Sequence, residues 1–348
     1  MRLDPSVLLN FLTGLFGELK VPCHEADIVA GHLVLSSQMG IASHGLMRVA
    51  QYVEMLEQGE IKPGAPMLVV KESPASVVVD YGWNFGQVAC RDVMERAMSH
   101  ASVCGVATGV AVHCTHAGRL GHYLEMAAEG GYLAVGYCNS GRHGHWVAPY
   151  GGREGRLATN PIAFAAPRRH GPPIVSDFST ASIPEGKIRI LQQEGKAVPT
   201  GCIIDSQGEA TTDPNSFYGP PRGAILPFGG SAGYRGFALG ILVEIMGGLL
   251  GGQSTTEPSP GNGVSFTVYD PAHFTGKERF LDLVDSMADY VKSSPPDANS
   301  AGVLLPGERE HLARVRCEME GIEITPETWQ SIVCCAEKYH VPLPSGLS

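Results

Sequence analysis

The sequence predicts an α/β fold in which strands and helices alternate. Three observations carry that expectation. From residue 76 onward, β-branched runs alternate with stretches of helical periodicity. Of 348 residues, 43% are hydrophobic and only 17% charged, with 44 glycines and 25 prolines, a composition of compact, loop-rich chains. No internal repeat or low-complexity tract interrupts the pattern.

The elements follow in order. Asp4-Pro5 starts a first helix, a capping side chain followed by proline in the first turn. Val7, Leu8, Phe11, Leu12, Leu15 and Leu19 recur there at helical spacing. A second helix is expected over 25–38 and a third over 43–58, ended by Gly59. Then come a strand at 76–81, a helix at 86–102, a strand at 106–114, a helix at 118–129 and a strand at 132–138. Further strands are expected at 157–167 and 174–177, with a helix near 183–193. Residues 200–232 are rich in Gly, Pro, Asp and Ser and read as a long irregular connection. A helix at 235–250, a strand at 263–269 and a helix at 278–292 follow. Two helices close the chain at 308–319 and 326–339, the last with Thr325 as cap and Pro326 at its first position. The expected organisation is a helical part (1–70), an α/β region (71–300), and C-terminal helices (301–348) packing with the N-terminal part.

Charge and cysteine usage narrow the class. The net charge is −10, and no basic run is present, so neither nucleic acid nor an anionic membrane is an expected partner. Nine cysteines without CxxC spacing fit reduced, buried thiols in a cytoplasmic protein. The first helix reads as amphipathic, not as a signal peptide. The apolar stretch 237–250 contains Glu244 and is too short to span a bilayer.

Five constellations could carry chemistry. In the first, Ser43 caps a helix that places His44, Arg48 and Tyr52 at i, i+4 and i+8 on one face, with Leu46, Val49, Val53 and Leu56 opposite. An arginine fork can bind a carboxylate while the adjacent histidine gives a proton to a carbonyl oxygen; a plain solvated stripe has the same spacing. The second is His113-Cys114-Thr115-His116-Ala117-Gly118-Arg119-Leu120-Gly121-His122, at a strand-to-helix junction whose amides could meet a phosphate. Gly118 would let a ligand approach the backbone. A metal held by His113, His116 and His122, with His143 and His145 nearby, is the competing reading, and no carboxylate or cysteine completes a recognised spacing. The third is Asp177-Phe178-Ser179-Thr180 followed by Glu185-Gly186-Lys187, where the acid could orient a histidine, bond a ribose, or simply cap a helix. Tyr234-Arg235-Gly236 and Pro306-Gly307-Glu308-Arg309 each open a helix. Neither GxGxxG, GxxxxGK[ST] nor GxSxG is present.

Taken together, Ser43-His44-Gly45 with Arg48, the run 58–65, Thr159-Asn160-Pro161, Asp177 with Ser179-Thr180, Gly186-Lys187, Tyr234-Arg235-Gly236 and Pro306-Gly307-Glu308 resemble the malate/L-lactate dehydrogenase family of the non-Rossmann type. That family includes ureidoglycolate, sulfolactate and diketogulonate oxidoreductases and reductases of cyclic imino acids. The resemblance implies a non-Rossmann NAD(P)-binding fold, with a mixed sheet covered by helices and a helical domain from both termini. It implies an oxidoreductase that uses NAD or NADP, acts on a small 2-oxo acid or 2-hydroxy acid, and works as a homodimer. By this likeness His44 is the proton donor with Ser43 as its partner, and His116 a base or cofactor contact. Arg48 would clamp the substrate carboxylate, with Tyr52 and Asn160 as further substrate-binding residues. His116, Ala117, Gly118, Arg119, Leu120, Ser140, Asp177, Phe178, Ser179, Lys187, Tyr234, Arg235, Pro306, Gly307 and Glu308 would contact the cofactor. The sequence departs from the pattern at Arg119 and Leu120, where small residues are usual, at Arg235, where lysine is common, and in the cluster Arg142-His143-Gly144-His145-Trp146. A cyclic imine substrate would call for an extra carboxylate, for which Glu185 is the candidate. Two other classes stay open on sequence: a metal-dependent hydrolase or lyase built on the histidines, and a non-catalytic sensor.

Overall fold

The computed structural model describes residues 1–141, 144–257, 259 and 261–344. The chain runs β1 (Arg2–Leu3), α1 (Pro5–Glu18), α2 (Cys23–Gln38), α3 (Val49–Glu57), β2 (Leu68–Ser73), β3 (Ser76–Asn84), α4 (Gly86–Cys104), β4 (Val106–Cys114), α5 (Gly121–Glu129) and β5 (Leu133–Cys138). It continues through β6 (Ile162–Ala166), β7 (Ile174–Phe178), α6 (Glu185–Gln193), β8 (Ile203–Ile204), β9 (Ala210–Thr211), α7 (Pro214–Tyr218), β10 (Ala224–Ile225) and α8 (Gly233–Val243). β11 (Asn262–Tyr269), α9 (Lys277–Lys292), α10 (Glu308–Glu320), β12 (Ile322–Glu323) and α11 (Pro326–Lys338) complete it.

A seven-stranded sheet in the order β2-β3-β4-β11-β5-β6-β7 organises the molecule. Only β3 and β4 pair in parallel, joined by the crossover helix α4; the other neighbours are antiparallel, so the sheet is mixed. β4, β11 and β5 alternate small and branched side chains, and α4 and α5 pack on the face they build, burying Val77, Val79, Val93, Met94, Leu124 and Phe266 together. A second core joins α1, α2 and α3 to α11 through Leu8, Leu12, Leu33, Val53, Ile332 and Ala336. There β1 pairs with β12, so the two ends of the chain meet. Each core side chain of this size contributes about 1.5–3 kcal/mol by leaving water.

Four expectations change. The helix expected over 43–58 is two 3₁₀ turns (Ala42–His44 and Leu46–Arg48) followed by α3, because Gly45 adopts φ −100, ψ −142. A Cβ at Gly45 would overlap Ser37, whose Oγ accepts from the Leu46 amide at 3.0 Å. The region 200–232, expected to be irregular, carries β8, β9, α7 and β10, folded around Ile203, Phe217 and Ile225. The edge strand β2, with every residue exposed, had no core-facing alternation to announce it. The apolar stretch 237–250 belongs to a continuous helical run, Gly230–Gly251, which by length and composition alone could cross a membrane.

Candidate active site

Four segments meet around a cavity of about 430 Å³: the 41–44 turn, the loop that leaves β4, the end of β7, and the turn before α10. Its lining includes Ser43, His44, Gly118, Arg119, Leu120, Asp177, Phe178, Ser179, Pro306 and Gly307. Ten residues singled out in the sequence, spread over 265 positions, therefore share one wall.

The imidazoles come first. His44 and His116 stack with ring centroids 5.5 Å apart and planes 16° from parallel. His44 Nδ1 lies 3.1 Å from Ser43 Oγ. Arg48 is held beside them: its Nε donates to the Ser43 carbonyl at 2.6 Å and Nη1 donates to Gln51 Oε1 at 2.6 Å. Neither bond uses Nη2. Although Gly45 breaks the expected helix, the turns still bring His44 and Arg48 together. Burial, then Arg48 and Arg119, pushes the His44 imidazole down to about 3, and burial, then Arg48 and His44, lowers His116 well below its ordinary value. Both rings are neutral near pH 7. A bound carboxylate beside Arg48 would offset that cation and favour a proton on His44.

Tyr52, expected against the substrate, is buried behind His116 instead, with its Oη 2.7 Å from His116 Nδ1. It belongs to the apolar side of α3 and packs on Phe85.

The loop after β4 is pinned by side chains. The Ala117 amide donates to Asn262 Oδ1 at 2.8 Å and its carbonyl accepts from the Tyr123 hydroxyl at 2.5 Å. The Arg119 amide donates to His32 Nε2 at 2.9 Å, and the Gly121 amide donates to Asp177 Oδ2 at 2.7 Å. Three of the amides at this junction, expected to be free for a phosphate, are therefore taken, and Asp177 caps α5 from a neighbouring strand. Burial holds the Asp177 carboxyl above its usual value, against the Gly121 amide and Arg119, which lower it. Gly118 has φ +77, but the group that approaches its backbone is His32, which a Cβ there would overlap. The Arg119 side chain is buried and ion-paired with Glu125; its Nε has no partner among the described residues.

Other expected residues lie elsewhere. Asn160, fully buried with φ 37, donates from Nδ2 to Glu244 Oε2 at 2.9 Å and to the Gly240 carbonyl at 3.1 Å. Thr159 and Pro161 beside it do line the cavity. Ser140 packs against Gly144, Lys187 points into solvent, and Arg235 lies exposed against Tyr234. Glu308 is paired with Lys292 at 2.7 Å and with Arg168, while Glu310, two residues on, lines the cavity. Glu185 is taken by Arg189 and the Tyr218 hydroxyl, each at 2.8 Å, and lies outside the lining. Arg142 and His143 lie outside the described residues.

The histidines His113, His116 and His122 of the competing metal reading do not converge. His113 is exposed and paired with Asp80 at 2.9 Å, while His122 packs edge-on against His32. Among the described residues no group of three His, Cys, Asp or Glu is placed to hold a metal ion.

Sequence reasoning missed His32, Gln87, Glu125 and Glu310. His32 lies within α2 and Gln87 at the start of α4, neither in a motif that points to chemistry, and their partners are 87 and 35 residues away.

The family model described as malate/L-lactate dehydrogenase matches residues 3–333. The chain is 34% identical over 334 residues to the L-lactate dehydrogenase of Cupriavidus necator, covering 94% of this chain and 95% of that one. It superposes on the sulfolactate dehydrogenase of Methanocaldococcus jannaschii with TM-score 0.89 and 31% identity, covering 99% and 98% of the two chains. For the Δ1-piperideine-2-carboxylate reductase of Pseudomonas syringae pvar. tomato the TM-score is 0.82 at 29% identity, with 97% and 100% covered. Fold, matched length and identity agree, and the chain belongs to the malate/L-lactate dehydrogenase family of oxidoreductases.

Proposed function

We propose that the chain is a cytoplasmic NAD(P)-dependent dehydrogenase that interconverts a small 2-oxo acid and its 2-hydroxy acid. The observation that carries this reading is the stacked, neutral His44–His116 pair with Arg48 fixed beside it, His44 itself lining the cavity. Relatives named lactate and sulfolactate dehydrogenases support it.

The cavity suits a nicotinamide cofactor. Apolar Leu120, Val175, Phe178 and Pro306 alternate with Thr159, Ser176 and Ser179, and the buried Arg119 Nε there lacks a partner among the described residues. NAD or NADP, when bound, supplies the hydride chemistry. The protein's own groups do the rest. Arg48 clamps the substrate carboxylate through its unused nitrogen. His44, supported by Ser43, gives a proton to the oxygen of the former carbonyl or takes it back. His116 faces the same oxygen as a second polar contact.

A cyclic imine is the neighbouring reading, favoured by the likeness to the piperideine carboxylate reductase. Glu185, the carboxylate named for it, is turned away, so the oxo acid is preferred.

A homodimer would cover the exposed Ile241, Leu242, Ile245, Leu249 and Leu250. Glu244 ties this run to the protein by accepting from Asn139, Asn160 and Thr255. Ile245→Glu should give monomers in sedimentation; membrane capture of the parent protein would refute both the dimer and the location.

The decisive experiment assays 2-oxo acids and cyclic imines with NADH and NADPH. His44→Ala should lower kcat by about 10²–10⁴ with cofactor affinity kept, and Arg48→Ala should mainly raise KM. No cofactor oxidation by any compound, or unchanged kinetics in both variants, would sink the proposal.

A further inference from the structure

Behind the paired imidazoles lies a short chain of buried polar groups. Gln87 is the second residue of α4 and is fully buried. Gly86 before it lies where a Cβ would overlap the His116 and Thr115 carbonyls, so α4 starts hard against the β4 loop. From there Gln87 Nε2 donates to Tyr52 Oη at 2.7 Å. Tyr52 is 1% exposed, and its Oη lies 2.7 Å from His116 Nδ1.

The direction of this chain follows from counting hydrogens. The Tyr52 oxygen accepts from Gln87 and has one hydrogen of its own. Among the described residues, His116 Nδ1 is the acceptor within reach. If Nδ1 carried a proton instead, the buried hydroxyl would have no acceptor, at a cost of about 1–3 kcal/mol. Turning over the Gln87 amide would permit that reversed chain. It would strand both Nε2 hydrogens, where the present orientation leaves one of them and Oε1 without a partner among the described residues, and a buried N–H is the rarer group to orphan. So Tyr52 donates, Nδ1 accepts, and the neutral ring carries its proton on Nε2. Burial also keeps the Tyr52 phenol protonated, pushed up to about 12.

We propose that Tyr52 is a positioning residue that fixes His116 as a permanent Nε2–H donor, leaving His44 as the ring that carries the transferred proton. The last clause rests on the function proposed above; the tautomer does not. Two stacked rings 5.5 Å apart cannot both be charged cheaply, so a division of labour is required. His116 then steadies the developing negative charge as a neutral donor, while His44 cycles between charged and neutral. A ring held with its proton on Nε2 has no lone pair there, which excludes His116 as the base in hydroxy acid oxidation.

The test is ¹⁵N NMR of the full chain labelled at histidine, with His116 assigned by its absence in His116→Gln. A pyrrole-like Nε2 and a pyridine-like Nδ1 are expected without any substrate. The opposite pattern overturns the proposal even if the enzyme reduces oxo acids as expected. If no oxo acid is reduced, the tautomer result still stands and only the role of His44 falls. Kinetics supply the second arm. Tyr52→Phe should mix the tautomers, lower kcat by about 10²-fold, leave cofactor Kd unchanged, and raise the pKa of the His116 ring. Gln87→Leu removes a neighbour at the same depth but leaves the Tyr52 hydrogen on Nδ1, so the tautomer should persist and kcat fall less than about tenfold. Equal losses in the two variants with the tautomer unmoved would reduce Tyr52 to packing and refute the idea.

Discussion

Gly118 shows how much a single backbone conformation can hold. Its φ of +77 turns the chain so that the Arg119 amide meets His32, and the space a Cβ would need is filled by that imidazole. Gly118→Ala should therefore lose at least about 2 kcal/mol, the sum of left-handed strain and displacement of a buried ring. Urea unfolding measures it; a loss under 0.5 kcal/mol, about the ordinary surface value, would contradict the packing. His44 makes a second prediction at this scale. Because it is neutral in the free chain, forming a complex with an unreactive 2-oxo acid analogue should take up about one proton per site near pH 7. Calorimetry in buffers of different ionisation enthalpy reads that number, and zero uptake would dismiss His44 as donor. Residues of this kind were legible when they stood in a short cluster of chemistry-bearing side chains, as with Ser43-His44-Gly45 and Asp177-Phe178-Ser179. His32 and Gln87 were not, because what they hold lies 87 and 35 residues away and nothing local to them says so.

Among the elements, strands were read best where both faces are buried. β4 was expected at 106–114 and is found there, since a continuous β-branched and alanine run has no helical reading of similar quality. Helix ends were read less well where a side chain from elsewhere sets the boundary. α5 was expected from 118 and starts at Gly121, because Asp177 arrives from β7 to accept its first amide. Asp177→Ala should cost about 1 kcal/mol as a lost cap, whereas Asp177→Asn keeps an acceptor and should cost less. Chemical denaturation of the two variants tests the order. The broken 43–58 segment is the clearest misreading: periodicity alone carries no sign that Ser37 occupies the space beside Gly45.

At the scale of the molecule, four buried histidines make acid stability a global property. His44 and His122 are each lowered to about 3, and His32 and His116 well below their ordinary value, burial being the first cause in each. The unfolded chain therefore binds more protons than the folded one once the pH drops below the unfolded value near 6.5. Stability is complete above that pH and is lost as pH falls toward 3, by up to about 1.4 kcal/mol per pH unit for each ring. Urea midpoints at about pH 8 and pH 5 should differ steeply. His122→Gln should flatten the dependence, and an identical slope would show that other groups carry it. The fold class itself was readable from alternation, but the strand order was not, because nothing local to 262–269 tells where that strand inserts.

That insertion has a consequence for biosynthesis. β11 lies between β4 and β5, yet it leaves the ribosome long after both. At about 5–20 residues per second, two half-sheets wait for roughly ten seconds with facing edges open. During that interval they are templates for strands of other nascent polypeptides. A chain stopped before residue 262 should accumulate in inclusion bodies, and chaperone capture should end abruptly once β11 is translated.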